Sequence, residues 1–348
     1  MTYMLGTDSA SRMVHHDETD GPVVSGPVAF WTTAAGAGEL RPEAVDVCSE
    51  GQVRVRTAWT GVSRGTEALV MRGEVPESEH ERMRAPHQSG TFPFPVKYGY
   101  LNVGVVEDGP ASLLGRTVFT LFPHQSEFVV PVDAVTVVPD AVPARRAVLA
   151  GAVETALNVL WDARPALGDR VTVIGAGMIG CAIAHLARSI PGVEVELVDV
   201  DPAKGPVAAL LGVGFASPVD AARDRDIVIE VSGTEEGLRR ALELAATDGS
   251  VIVASWFGNR QVTLDLGADF HSRRLSIVSS QVGEVAAARR ARRTTRQRLE
   301  LALRLLEDPA FDVLLNGSAR WTELPAVMAS LADGTGSSLC TTIDWSRA

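Results

Sequence analysis

Three glycines and an acid carry the clearest chemistry in this sequence. In Val171-Thr-Val-Ile-Gly175-Ala-Gly177-Met178-Ile179-Gly180 a short apolar run meets glycines spaced G-x-G-x-x-G, and Asp199 follows nineteen residues beyond the last of them. An apolar run of that length reads as a buried parallel strand. Gly175 permits a tight turn, Gly177 lets the backbone approach a pyrophosphate, and Gly180 lets the following helix sit against the strand. The amides and dipole at the start of that helix, at Met178 and Ile179, suit a phosphate. Asp199 closes the next strand, placed to accept hydrogen bonds from both hydroxyls of an adenine ribose and to repel a 2′-phosphate. The cofactor this pattern favours is NAD rather than NADP.

The surrounding pattern supplies the elements that would hold such a turn. A helix is expected from about Met178 to Ser189, stopping before Pro191-Gly192, and a second strand over Val193–Val198. Further alternating units follow: a strand over Asp226–Val231, a helix over Glu235–Ala246 and a strand over Val251–Ser255. The strand ends at Ser232-Gly233 and Ser255-Trp256 fall where an open parallel sheet binds its ligand. Before residue 150 the pattern differs, with short strands at Val28–Trp31, Gln52–Thr57, Val103–Val106, Arg116–Phe122 and Glu127–Val130. Val53 and Val55 alternate with Arg54 and Arg56, which indicates one buried and one wet face. Ala144–Trp161 reads as one helix leading into the second half. Thr294–Leu306 reads as an amphipathic helix with Leu299, Ala302, Leu303 and Leu306 on one side. The arginines around it, Arg289, Arg290, Arg292, Arg293, Arg296 and Arg298, read as a solvated face, with a cofactor or substrate phosphate as the alternative for one or two of them. Residues 1–22, polar and without periodicity, read as a disordered tail in which the His15-His16 pair makes a poor metal site.

Composition narrows the class. With 348 residues there is room for two domains, each with its own core. Lys and Arg number 32 against 43 Asp and Glu, a net charge of -11, which disfavours nucleic acid as a partner. Cys48, Cys181 and Cys340, far apart and odd in number, fit a reducing cytoplasm and no disulfide framework. No apolar run is long enough for a membrane span.

A β-rich first half, a dinucleotide-binding unit and a return segment together resemble the medium-chain dehydrogenase/reductase superfamily. The stretches Gly61-Val-Ser-Arg-Gly-Thr-Glu67, Phe92-Pro-Phe-Pro-Val-Lys-Tyr-Gly-Tyr100, Glu154-Thr-Ala-Leu-Asn158, Leu266-Gly-Ala-Asp-Phe-His271 and Ser279-Ser-Gln-Val-Gly283 resemble its threonine-dehydrogenase-like, zinc-binding alcohol dehydrogenase branch, which includes relatives of bacteriochlorophyllide hydroxyethyl dehydrogenase. The resemblance implies an α/β chain with a GroES-like β-rich catalytic domain over 23–150, a Rossmann doubly wound parallel-sheet cofactor domain over 151–285, and a segment over 286–348 returning to the catalytic domain. It implies hydride transfer between a nicotinamide and an alcohol or carbonyl carbon of a small molecule, in a homodimer or homotetramer. It also implies that Thr155 approaches the nicotinamide carboxamide, that Lys204 lies beside the adenine ribose, and that Ser232 and Gly233 border the crevice. Relatives continue a helix where this chain has Gly205-Pro206, and the helix is expected to begin there.

The departures matter as much. Where zinc-dependent members of that superfamily place a Cys, a His-Glu pair and a Cys or Glu, this chain has Ser63, Tyr100-Leu101 and Gly151, none a good zinc ligand. The cysteines of a structural zinc lobe are missing too, so no metal is expected. A hydrogen-bond donor and a proton relay must then act on the substrate oxygen. Tyr100 is the first candidate, with a packing tyrosine as the alternative. Ser63 either binds substrate or shapes a turn. Glu154 is either a general base raised by burial or an acid favoured by a helix N-terminus. Lys97 reads as a snorkelling surface lysine, with a place among these candidates as the alternative, and His124 as a loop histidine, with a relay role as the alternative. The expected reaction is secondary alcohol to ketone, within the specialised metabolism of a high-GC bacterium as its composition hints. Enone reduction with NADPH, redox-neutral chemistry on tightly bound NAD, and a non-catalytic NAD sensor are the rivals.

Overall fold

Alternation is strongest in the strand Gln52–Ser63, and the first half of the fold is built on it. Val53 and Val55 are fully buried while Arg54 and Arg56 face outward, reaching Glu127 and Glu107. The computed structural model describes residues 26–346 and 348, so the tail over 1–22 and its His15-His16 pair lie outside the described residues. Gln52–Ser63 pairs antiparallel with Asn102–Asp108 along one edge; along the other it pairs with Glu127–Pro131 at its start and Cys340–Asp344 at its end. Thr117–Thr120, Val135–Val137 and Gly317–Arg320 complete this sheet. A smaller sheet of Val28–Ala34, Ala37–Pro42, Ser89–Gly90 and Val96–Lys97 lies beside it. Two of these four strands are only two residues long, too short for alternation to reveal.

The second half is a six-stranded parallel sheet in the order Gly214–Ala216, Glu194–Val198, Arg170–Ile174, Arg225–Glu230, Ala245–Val253, Ser276–Ser279. Numbered along the chain that order is 3-2-1-4-5-6, with its switch point at the C-terminal end of Arg170–Ile174, where doubly wound sheets bind ligands. Helix Met178–Ala187 leaves that strand, helix Gly205–Leu210 begins at the Gly-Pro pair, and helix Glu235–Leu244 is capped by the Thr234 hydroxyl.

Between the halves the expected single helix is two. Ala144–Ala147 and Ala150–Ala163 are separate, and the arginines of the first reach into the C-terminal segment. Arg146 grips Asp312 through two nitrogens at 2.7 and 2.6 Å, and Arg145 bonds Thr342 and the Leu315 carbonyl. Helix Ala150–Ala163 is buried on most sides. Val148, Leu149 and Val153 belong to one continuous core with Leu101 and Phe119 of the β half and Val171, Val173 and Ile183 of the parallel-sheet half. At about 1.5–3 kcal/mol for each large apolar side chain removed from water, this shared core holds the halves together. No helix among the described residues is long and apolar enough to cross a membrane.

One expectation fails here for a clear reason. Arg298 is not part of a solvated face: it is 2% exposed in helix Thr295–Leu305 and reaches back to helix Ala150–Ala163. Its guanidinium donates to Glu154 Oε1 at 3.0 Å, to Asn158 Oδ1 at 2.6 Å, and to the carbonyls of Glu284 and Val282. The other five arginines of the run are exposed as expected. Burial pushes the Glu154 carboxyl upward and Arg298 pulls it back. Replacing Arg298 by Met strands a buried carboxylate, and urea unfolding is expected to show a loss of about 3–5 kcal/mol, the range for breaking one partner of a buried pair; a loss under about 1 kcal/mol would mean the pair holds nothing.

Candidate active site

The glycine turn has the geometry its spacing requires. Gly175 sits at φ 108°, and a Cβ there would lie 2.7 Å from the Ser232 amide nitrogen. A Cβ on Gly180 would lie 1.9 Å from the Gly175 carbonyl oxygen, an impossible contact, so the helix can approach the strand only as glycine. Gly177 is the opposite case: its added Cβ would meet nothing within 4 Å. That opening faces the start of helix Met178–Ala187, where no side chain caps the first amides. The Met178 and Ile179 side chains pack into the core, so only their backbone faces the opening's end of the helix.

Asp199 closes the turn. Its Oδ2 accepts the Ala176 amide at 2.7 Å and its Oδ1 the Asp201 amide at 2.9 Å. A carboxylate offers about four lone-pair sites, so acceptor capacity remains. Lys204 lies nearby, its Nζ 3.8 Å from Asp201 and 3.4 Å from the Ser337 carbonyl. On the far side of the crevice Ser232 and Gly233 are shaped by an acid that sequence reasoning passed over. Glu230, fully buried, accepts with one oxygen from the Ser232 amide at 2.7 Å, the Ser232 hydroxyl at 2.6 Å and the Gly233 amide at 3.0 Å. Its signal was an acid at the end of the apolar Ile-Val-Ile run. Thr155 is turned onto its own helix, its hydroxyl donating to the Gly151 carbonyl at 2.9 Å. A dinucleotide fits this set of groups: a turn with room at Gly177, helix amides without a cap, and an acceptor at Asp199.

In the β half, three positions far apart in sequence converge. A Cβ on Gly151 would lie 2.6 Å from Leu101 Cδ2 and 3.9 Å from Tyr100 Cδ2. The side chains of Ser63 and Thr66 lie beside the Tyr100 phenol. Burial first, and the negative charge of Glu67 second, push the Tyr100 phenol up to about 12, while the two hydroxyls pull it down. It therefore holds its proton at any ordinary pH. Glu154, although one turn from Gly151, has its carboxylate on Arg298.

One further expectation is corrected here. Lys97 is no surface lysine: it is 4% exposed, donating to Glu43 at 2.9 Å and to Gln125 at 2.7 Å. His124 lies in a loop as expected, but buried: it is 1% exposed and 3.0 Å from Glu67 Oε2. Glu67 was visible in the sequence only as the end of the Gly61–Glu67 stretch, with nothing local to pair it with a histidine 57 positions away. The zinc question turns on donors: Ser63, Tyr100 and Gly151 bring a hydroxyl, a phenol and no side chain, and among the described residues no group of three His, Cys, Asp or Glu could hold a metal ion. This donor set does not fit zinc.

No protein-family model matches the chain. Over 173 residues it is 23% identical to the 2-dehydro-3-deoxy-L-galactonate 5-dehydrogenase of Pseudoalteromonas atlantica; the match covers 47% of this chain and spans about half, 50%, of that relative. The solved structure of L-idonate 5-dehydrogenase from Escherichia coli is similar with a TM-score of 0.75 at 14% identity, covering 91% of this chain and 98% of its own. An alcohol dehydrogenase from Escherichia coli in complex with NADH gives 0.72 at 16%, covering 91% and 99%. A Sinorhizobium meliloti protein described as a zinc-binding dehydrogenase, bound to NADP, gives 0.73 at 16%, covering 92% and 100%. At such identities the likeness is one of fold. The chain is a GroES-like β-rich domain joined to a Rossmann doubly wound parallel-sheet domain.

The glycines make separable predictions. Gly180→Ala should unfold at clearly lower temperature, because helix and strand must part. Gly177→Ala should keep its melting temperature within a few degrees, yet bind NADH about tenfold more weakly in a fluorescence titration, equivalent to about 1.4 kcal/mol. Equal stability losses in the two variants would refute this division of roles.

Proposed function

We propose that this chain is a zinc-independent, NAD-dependent oxidoreductase that interconverts a secondary alcohol and a ketone. The observation that carries the reading is the link between two groups of residues. Helix Ala150–Ala163 meets Leu101 and Tyr100 at Gly151 and packs along helix Met178–Ala187, so one helix joins the β half that carries the phenol to the helix that leaves the dinucleotide turn. The dehydrogenase names among the similar proteins, and the sequence stretches that resemble the bacteriochlorophyllide-type branch, support it. The bound nicotinamide would supply the hydride acceptor or donor. Every other task falls to this chain: the first amides of helix Met178–Ala187 hold the pyrophosphate, Asp199 accepts from the adenine ribose and repels a 2′-phosphate, and Tyr100 donates to the substrate oxygen with Ser63 beside it. Glu154 is assigned to holding Arg298 rather than to moving a proton. The alternative of a phosphorylated cofactor is opposed by the Asp199 charge, and the other rivals have no observation in their favour.

The test is turnover by metal-free protein with NAD and a panel of secondary alcohols that includes 2,3-butanediol and L-idonate. Tyr100→Phe should lower kcat/KM by about 10²–10³, as removing one donor to a developing oxyanion does, with NADH bound in preference to NADPH. Stoichiometric zinc on elemental analysis, or undiminished turnover by the phenylalanine variant, would overturn the reading.

A homodimer is part of the same proposal. Ser276–Ser279 ends the parallel sheet with all four residues exposed, among them Ile277 at 38% and Val278 at 39%, and an open apolar edge strand invites pairing. Ser-Ile-Val-Ser reads nearly alike in both directions, so a two-fold antiparallel pairing sets serine on serine and Ile277 on Val278. Sedimentation equilibrium should give twice the chain mass, reverting to the monomer in Ile277→Lys; a monomer for the unaltered protein would exclude the dimer.

A further inference from the structure

Glu67 and His124 are each 1% exposed, and the proposed hydride transfer uses neither. Glu67 lies in the short helix Thr66–Met71 and His124 in the turn after strand Thr117–Thr120. One carboxylate oxygen of Glu67 accepts the Ser63 amide at 3.2 Å; the other lies 3.0 Å from His124 Nε2. The opposite ring nitrogen, Nδ1, is 2.7 Å from Thr60 Oγ1, which also accepts the Trp345 indole N–H at 3.0 Å. Indole nitrogen can only donate, so the Thr60 oxygen serves it as acceptor and its own proton is free to turn to Nδ1. The imidazole proton is then on Nε2, aimed at Glu67. The chain Trp345, Thr60, His124, Glu67 thus runs in one direction, and its last member also takes the amide of Ser63. Gly99, at φ +138°, leaves room for this arrangement: a Cβ there would come within 3.0 Å of His124 Cδ2. The imidazole therefore lies against the backbone that carries Tyr100.

We propose that Glu67, clamped by His124, is a positioning residue for this site, fixing Ser63 and Tyr100 so that the phenol faces a substrate oxygen as a donor. The proposal rests on the alcohol–ketone reading above. A pair that merely stitched the β domain together would act on packing alone. This one also acts by charge, since the Glu67 carboxylate holds up the ionisation of Tyr98, Tyr100 and Cys340 together. The ionisable groups facing Tyr100 are Glu67, Tyr98 and Cys340; the Cys340 thiol is itself pushed up to about 12, chiefly by burial, and so stays uncharged. The loss of the Glu67 charge therefore has a spectroscopic signature in Tyr100.

The chain has three tyrosines, Tyr3, Tyr98 and Tyr100, so tyrosinate absorbance on alkaline titration, less that of Tyr100→Phe, isolates Tyr100. Glu67→Gln keeps the size of the side chain and removes its charge. It is expected to bring the Tyr100 ionisation down by about one pH unit, tenfold more tyrosinate at a fixed pH below the midpoint, and to lower kcat with little change in KM. His124→Gln keeps an amide donor for Glu67 and guards against a variant that does not fold; it is expected to lower kcat at unchanged KM while leaving the Tyr100 ionisation near that of the parent. Unchanged ionisation and unchanged kcat in Glu67→Gln, with turnover lost in Tyr100→Phe, would overturn this inference and spare the alcohol–ketone reading. Turnover retained by Tyr100→Phe would instead sink that reading and the inference with it.

Discussion

A carboxylate removed from water must find donors inside the protein, at a penalty of several kcal/mol if it does not. Three acids of this chain, Glu67, Glu154 and Glu230, are buried under that constraint. Each draws its donors from a different place, and Glu230 does so through one oxygen only, its Oε2 being buried without a partner among the described residues. Glu230 takes the amides of its own following turn and so shapes the crevice wall at Ser232 and Gly233. Glu154 takes an arginine from a helix more than a hundred positions further on and so fixes the C-terminal segment against the central helix. Glu67 takes a histidine and a backbone amide and so fixes the strand end where Ser63 sits. The apolar core supplies cohesion, but these acids decide which loops and helices face which.

What could be read from the sequence followed from how local the cause was. The turn at Gly175–Gly180 is legible because its three glycines stand at fixed spacing within six residues, and the tightest approach, Gly180 against the Gly175 carbonyl, lies inside that stretch. Strand Gln52–Ser63 is legible because alternation needs only one wet face and one dry face. Arg298 was misread among its neighbours because composition treats six arginines alike. Position would have separated it, since it precedes Leu299 by one residue and Ala302 by four, on the margin of the apolar stripe. Glu67 and His124 leave no such trace. Their pairing exists only once Gln52–Ser63 and Thr117–Thr120 take their places in one sheet, and no spacing rule connects them.

The similar structures add a point about what holds a fold constant. At 14–16% identity nearly the whole chain still superposes, so the two-domain arrangement depends on patterns of burial and on a few close backbone approaches more than on particular side chains. Ser63, Tyr100 and Gly151 meet in space, and they bring hydrogen-bonding groups and an absence, where metal chemistry asks for thiolate, imidazole or carboxylate. A fold shared at this level does not by itself fix the chemistry of the site built on it.

The strand Cys340–Asp344 lies directly against Gln52–Ser63, with Cys340 opposite Ser63, and the Trp345 indole bonds Thr60 from 285 positions away. During synthesis the β half therefore emerges with an open edge exactly where its polar centre will be, and waits for the whole parallel-sheet domain to be made before that edge is filled. Domains tend to fold as they appear, and pairings between distant segments form late. The last strand is thus a latch on the order of assembly: a nascent chain can have its dinucleotide turn in place long before it has a finished β half to work with.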